Sequence, residues 1–196
     1  MKHIILASGS PRRRELLRMI VPEFEIASGI DVDESYPADM PAEQVPVYLS
    51  QLKAEAYRRR VGADDVLITA DTVVIVDGVI LGKPAHRDEA VEMLTTLCGR
   101  QHVVVTGVTI TTATAQESFS QHTTVHFDPL SQAEIEHYVD QYRPFDKAGA
   151  YGIQEWIGAA AISGIEGSFY NVMGLPIHQV FLALRRLGAI QIAPHP

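Results

Sequence analysis

The sequence predicts an α/β fold in which helices flank a mixed sheet. Three patterns carry that reading. The chain opens on a short apolar run, Ile4 to Ala7, that turns at once into a helix start. Strand-like and helical stretches then alternate along its length. Some of the strand-like pieces are joined by hairpin signals, which a wholly parallel sheet would not contain.

Taken in order, Ile4 to Ala7 reads as a buried strand, and Ser8 to Pro11 turn it into a helix. Pro46 to Val61 is helical, with Lys53 on one face with Leu49, Ala56 and Tyr57. VLITADTVVIVDGVILGKP is a strand running into a hairpin at Asp77-Gly78, a strong turn pair. His86 to Leu97 is helical and stopped by Gly99. HVVVTGVTITTA and SFSQHTTVHF alternate apolar with small polar residues, as paired antiparallel strands do. SQAEIEHYVDQY opens on a serine cap and carries a stripe of Ile135, Tyr138, Val139 and Tyr142. LPIHQVFLALRRL closes the pattern with Ile177, Val180, Phe181, Leu184 and Leu187 on one face.

Composition narrows the class. With 196 residues, 46% hydrophobic and 20% charged, the chain reads as a single domain over 1–196 with a sizeable core. No apolar stretch approaches 18 residues and the start carries no signal-peptide pattern, so no membrane partner and a cytoplasmic address are expected. One cysteine, Cys98, fits a reducing compartment and reads as a core thiol. A net charge of −8 argues against a nucleic-acid partner, because such proteins present a broad basic face.

Against that acidity, Arg12, Arg13 and Arg14 stand out. Ser10 is a good N-cap and Pro11 suits the first helical turn, so free N–H groups and the positive helix end meet at a cradle of Ser8, Gly9 and Ser10. A cation in the first turn opposes the helix dipole by roughly 0.3 to 1 kcal/mol. A polyanionic ligand is the simpler explanation; a solvated basic patch is the plainer one. The string is neither a Walker loop nor a nucleophile elbow.

Asp71 follows the apolar run Val66 to Ile68, where alternation sets it beside inward-facing hydrophobes. A carboxylate so placed is costly to leave unpaired and is a candidate base, a strand-end salt bridge being the alternative. Asp71-Thr72-Val73-Val74 lacks the second aspartate of a haloacid-dehalogenase-type phosphatase. Lys53, Lys83 and Lys147 mean little singly and gain meaning only if the fold gathers them. Asp31 to Glu34, DVDE, offers hard oxygen ligands or an ordinary solvated turn. His122 and His126 sit about 13 Å apart on a strand and are no metal pair.

The strings LASGSPRR, IDVDE, LKAEAY, ITADTVV, LGKP, DKAGAYGIQ and IEGSFYNVMGLP, in that order from Leu6 to about Leu187, resemble the Maf family of nucleotide pyrophosphatases. The resemblance implies an inosine-triphosphate-pyrophosphatase-like fold with an elongated mixed sheet and two lobes around a cleft. It also implies cleavage of a nucleoside triphosphate between the α and β phosphates with a divalent cation, Mg²⁺ or Mn²⁺. By that resemblance Asp71 is the proton acceptor, and Arg12, Thr72 and Gln154 fall where the dTTP/UTP branch carries its specificity residues. Arg13, Lys53, Lys83 and Lys147 are the phosphate-facing cations, and Glu34 and Asp71 the metal ligands. The sister branch acting on 7-methyl-GTP lacks the KAGAYGIQ string. The family also implies a homodimer. One departure is HVVVTG, where an aromatic residue is expected near Val104 or Val105 and packing rather than chemistry is expected to feel the change. A nucleotide-sensing regulator of cell division, acting through a protein partner, is the alternative function; a phosphatase is a further rival.

Overall fold

In the computed structural model, residues 2–190 are described. Among these residues seven strands form one sheet in the order β2-β1-β3-β5-β6-β7, with β4 paired to β3. The strands are β1 (His3–Ala7), β2 (Glu25–Ala27), β3 (Asp65–Val76), β4 (Val79–Leu81), β5 (Gln101–Thr111), β6 (Gln116–Phe127) and β7 (Ile162–Glu166). Only β1 pairs in parallel, with β2 and β3; the other pairings are antiparallel, which makes the sheet mixed as expected. The helices are α1 (Pro11–Arg18), α2 (Val45–Tyr57), α3 (Arg87–Leu97), α4 (Gln132–Tyr142), α5 (Trp156–Ala161), α6 (Phe169–Met173) and α7 (Ile177–Arg186).

Register explains where a cleft can form. β1 is short and β3 is long: Leu6 pairs with Ile68 and β1 ends one residue later at Ala7, so Ala70, Asp71 and Thr72 run on past its end. The chain leaves β1 through α1 to β2 on one side and returns through α2 to β3 on the other. The carboxyl end of β1 is therefore a topological switch point, where open α/β sheets have room for a ligand.

The faces divide by strand parity. Even-numbered residues of β3, such as Val66, Ile68, Ala70, Val74 and Val76, join a large core with Leu16 and Leu17 of α1, Leu94 and Leu97 of α3, Tyr138 of α4 and Val180 and Leu184 of α7. Odd-numbered residues face α2: Val73 and Ile75 pack with Val45, Leu49 and Val105, and Leu67 packs with Ile5 and Tyr57. Ser50 in α2 hydrogen-bonds Thr109 at 2.7 Å and its carbonyl accepts from the Thr69 hydroxyl at 2.7 Å, so this seam is polar but satisfied.

At Gly107, which pairs with Asp71, a Cβ would overlap the backbone of Pro46 and Val47. Glycine there lets α2 lie directly on the sheet.

Several boundaries differ from expectation. α2 stops at Tyr57 and tightens into a single 3-10 turn over Arg58–Arg60. On it, Leu49 and Tyr57 are buried but Ala56 is exposed, so the apolar stripe is narrower than its spacing suggests. His86 is the N-cap of α3 rather than its first residue, its ring accepting from Glu89 N. Tyr142 is exposed and stacks on Tyr138 at 5.0 Å. Cys98 is half-buried beside the large core, and burial raises its thiol pKa. No helix among the described residues is long and apolar enough to cross a membrane.

Candidate active site

A cleft of about 470 Å³ opens at the end of β1. Its lining includes the twelve residues that the sequence placed in a nucleotide site: Ser8, Gly9, Ser10, Arg12, Arg13, Glu34, Lys53, Asp71, Thr72, Lys83, Lys147 and Gln154.

Its floor is the β1–α1 turn. The Ser10 hydroxyl caps α1 by accepting from Arg13 N at 3.5 Å, Ser8 Oγ accepts from Ser10 N at 3.2 Å, and the first turn of the helix carries no acidic residue. The helix thus offers its N-terminal N–H groups and positive end to the cleft. Of the three arginines, Arg14 folds back to Gly9 O at 3.3 Å. Arg13 is held more firmly, with Nε donating to Gly174 O at 2.7 Å and its two terminal nitrogens to Ala70 O at 2.8 Å and Thr72 Oγ1 at 3.0 Å. Burial lowers the Arg13 pKa, and the Asp71 carboxylate works against that fall. Its fork is committed to the protein, so what it offers the cleft is a fixed positive charge.

Arg12 points the other way. It reaches across 134 residues to the Asp146 carboxylate at 2.6 Å and the Asp146 carbonyl at 3.4 Å. Asp146 also accepts from the Lys147 ammonium at 2.8 Å. Partial burial would raise the Asp146 pKa, but the hydrogen bonds from Lys147 and Arg12 outweigh it and hold the carboxyl at about 2.

At the opposite wall Asp71 shares the face of β3 that α2 covers. The Lys53 ammonium lies 2.6 Å from Asp71 Oδ1 and 3.0 Å from Glu34 Oε1, joining the strand carboxylate to the loop carboxylate. The cost of burying Asp71 is met by this lysine. Both carboxylates therefore converge on one point, and a hard cation takes oxygen ligands of this kind, one or two carboxylates completed by substrate phosphates. Among the described residues no group of three or more His, Cys, Asp or Glu side chains is gathered for a metal, and Glu34 and Asp71 are the two cleft carboxylates that could hold one.

Lys83 and Gln154 are exposed on the cleft walls. Unlike Arg12, Lys53 and Lys147, Lys83 makes no ion pair with a described residue. In HVVVTG, Val104 is buried in the large core and also borders the cleft, while Val105 packs under α2, because successive strand residues face opposite sides. A change at Val104 alters the shape of the site as well as packing.

Sequence reasoning missed Asp146, the carboxylate that pairs with Arg12 and Lys147. Adjacent opposite charges in FDKAG were the available signal. It also missed Tyr57 and Tyr151, which line the cleft as well as filling core. The carbonyls of Ala70 and Gly174 that hold Arg13 had no signal at all.

Residues 3–187 match the model of the family described as Maf-like protein. The chain belongs to the Maf family. Among curated relatives in that family, it is 52% identical over 184 residues to a protein of Bacteroides thetaiotaomicron named dTTP/UTP pyrophosphatase, covering 94% of this chain and 95% of that one. It is 54% identical over 187 residues to a protein of Porphyromonas gingivalis with the same name, covering 94% of each. Among solved structures, a HAM1 protein from Coxiella burnetii is similar in fold, with a TM-score of 0.51 at 14% identity over 95% of this chain and 100% of that chain.

Proposed function

We propose that this Maf protein hydrolyses dTTP and UTP to the nucleoside monophosphate and pyrophosphate, with Asp71 as the general base. The observation that carries the reading is convergence. Five cations spread from residue 12 to residue 147, a helix N-terminus and one partly buried carboxylate meet in a single crevice. The relatives' names agree with it.

Phosphoryl transfer needs little covalent help from a protein; it needs positioning and fixed positive charge where negative charge builds up. The α1 N-terminus, Arg12, Lys83 and Lys147 are the groups able to hold the phosphate chain, and Arg13 supplies a field from behind. Asp71 accepts a proton from water as the water oxygen bonds to the α phosphorus. The bond between that phosphorus and the bridging oxygen breaks, and pyrophosphate leaves with the electron pair. Lys53 pairs with the Asp71 carboxylate and aims it. A divalent cation held by Glu34 and Asp71 would neutralise charge on the phosphate oxygens. Gln154 offers both a donor group and an acceptor, which suits the amide edge of uracil or thymine.

The test is a substrate panel of nucleoside triphosphates with Mg²⁺ or Mn²⁺ and identification of both products. Pyrophosphate and monophosphate from dTTP and UTP support the reading. Inorganic phosphate as the product, or tight nucleotide binding without turnover, overturns it.

A further inference from the structure

Lys147 is the most enclosed cation of the cleft, and its surroundings extend into the protein beyond the site itself. Its ammonium meets Asp146 Oδ1 at 2.8 Å and Glu155 Oε1 at 3.1 Å. The Asp146 side chain is 54% exposed and is shared with Arg12, whereas the Glu155 side chain is 19% exposed. The other oxygen of Glu155 accepts a hydrogen bond from the Tyr138 hydroxyl. Tyr138 itself accepts from Gly152 N at 3.0 Å and is wholly buried, stacked on Tyr142 and, at 6.5 Å, on Trp156. Burial and the adjacent Glu155 push the Tyr138 pKa well above its ordinary value, so the hydroxyl stays a donor.

The same pieces shape the backbone that carries Gln154. Glu155 N donates to Gly152 O at 3.0 Å, closing a turn with Gln154 inside it. A Cβ on Gly152 would lie 2.9 Å from the Glu155 carboxyl carbon and 3.0 Å from Lys147 Cε, so the carboxylate and the lysine stem pack directly on that glycine. None of this follows from a need to neutralise Lys147, which Asp146 already meets.

We propose that Glu155, anchored by Tyr138, is a positioning residue of the nucleotide site that fixes the Lys147 ammonium toward the phosphate chain and fixes the turn presenting Gln154. The assignment deepens the reading of the cleft as a nucleotide site. It also makes a prediction whose sign separates it from plain electrostatics. A carboxylate that only sat near a polyanion would repel it, so neutralising that carboxylate would tighten binding. Neutralising a carboxylate that aims a phosphate-binding lysine weakens binding instead.

The experiment measures the Kd of inorganic tripolyphosphate by calorimetry for the full chain, Glu155→Gln, Tyr138→Phe, Lys147→Ala and the two double variants containing Lys147→Ala, with Tm recorded for each. Glu155→Gln is expected to weaken tripolyphosphate binding about tenfold and Tyr138→Phe about threefold, while in the Lys147→Ala background each changes Kd by less than twofold. Non-additivity of this kind identifies coupling through Lys147, which a merely structural loss would not produce. Tighter binding or no change in Glu155→Gln overturns the proposal, and so does an equal effect in both backgrounds. If Glu155→Gln does not fold, the Tyr138→Phe pair decides by the same criterion. Because the ligand is not hydrolysed for the readout, the outcome is separate from that of the pyrophosphatase reading, which fails on product analysis of the unaltered protein.

Discussion

Replacing Asp71 by Asn removes the base while keeping the size of the side chain and one acceptor oxygen. The structure sets two magnitudes. Removing a positioned general base lowers turnover by about 10² to 10⁴. The stability cost is smaller. Lys53 and Asp71 have side chains only 15% and 13% exposed, and breaking such a pair when fully buried costs about 3 to 5 kcal/mol. Here the Asn oxygen still faces the ammonium and Glu34 stays 3.0 Å away as a charged partner, so a cost of about 1 to 2 kcal/mol is expected. For a chain of this length that lowers Tm by roughly 2 to 8 °C. The assay is pyrophosphate release from saturating dTTP with excess Mg²⁺, run beside thermal unfolding and dTTP binding. At least a hundredfold fall in kcat, with dTTP still bound and Tm in that range, is the expected result. A fall of less than tenfold in a folded variant would refute Asp71 as the proton acceptor.

Gln154→Glu replaces the donor end of the amide with a second acceptor, so pyrimidine turnover should drop by at least tenfold with Tm unchanged within a degree or two; unchanged kcat/KM for dTTP and UTP would remove Gln154 from base contact. Gly107→Ala forces a methyl group into the backbone of Pro46 and Val47 and should cost about 2 to 3 kcal/mol, or roughly 4 to 12 °C in Tm. Because α2 must then lift with Lys53 attached, activity measured well below Tm should fall as well, and full activity there would show that the contact is not what sets Lys53. His102 is buried against Tyr151 at 2.7 Å, and burial lowers its pKa to about 4, with nearby His126 adding to the effect. Its folded pKa lies below the unfolded 6.5, so the unfolded chain takes up the proton first: the stability is present above pH 6.5 and is lost as pH falls toward 4. Between pH 7 and 5 this group should cost about 2 kcal/mol, measured by urea unfolding, and His102→Phe should flatten the profile by that amount; parallel profiles for the two proteins would contradict it.

Elements with a strong local signature were readable. Serine caps, a proline at N1, an Asp-Gly turn and long alternating strands each report a local free-energy preference, and the elements built on them sit within a few residues of expectation. Between Gln154 and Gly174 the local signals are few, the Ser168 cap and the Gly174 stop of α6. There α5, β7 and α6 are each only five or six residues long, too short for a period to show, and they owe their form to tertiary contacts such as Ser168 and Asn171 bonding to Thr123. The arginines were legible because cations in a first helical turn oppose the dipole; the lysines meant little singly, and their roles rested on the resemblance. Their partners were not legible, since a carboxylate such as Asp146 or Glu155 looks like any surface acid until the chain closes on itself. Val104 shows the same limit: alternation fixes that neighbours face opposite sides, but the register past β1 decides which side has a cleft.

That register also explains why the free site holds together. Arg12 and Lys147 lean on Asp146, Lys147 on Glu155, Lys53 on Asp71 and Glu34, and Arg13 on three protein oxygens, so each of these cations is satisfied before any ligand arrives. A phosphate chain must therefore bind by exchange, replacing carboxylates as hydrogen-bond partners, and exchange gives little net energy for a single phosphate group. Only a ligand that meets several cations at once recovers enough to displace Asp146 from Arg12 and Lys147 together while engaging Lys83. The cleft is thereby expected to hold long polyanions more tightly than monophosphates, including a monophosphate product, without any contact dedicated to rejecting them.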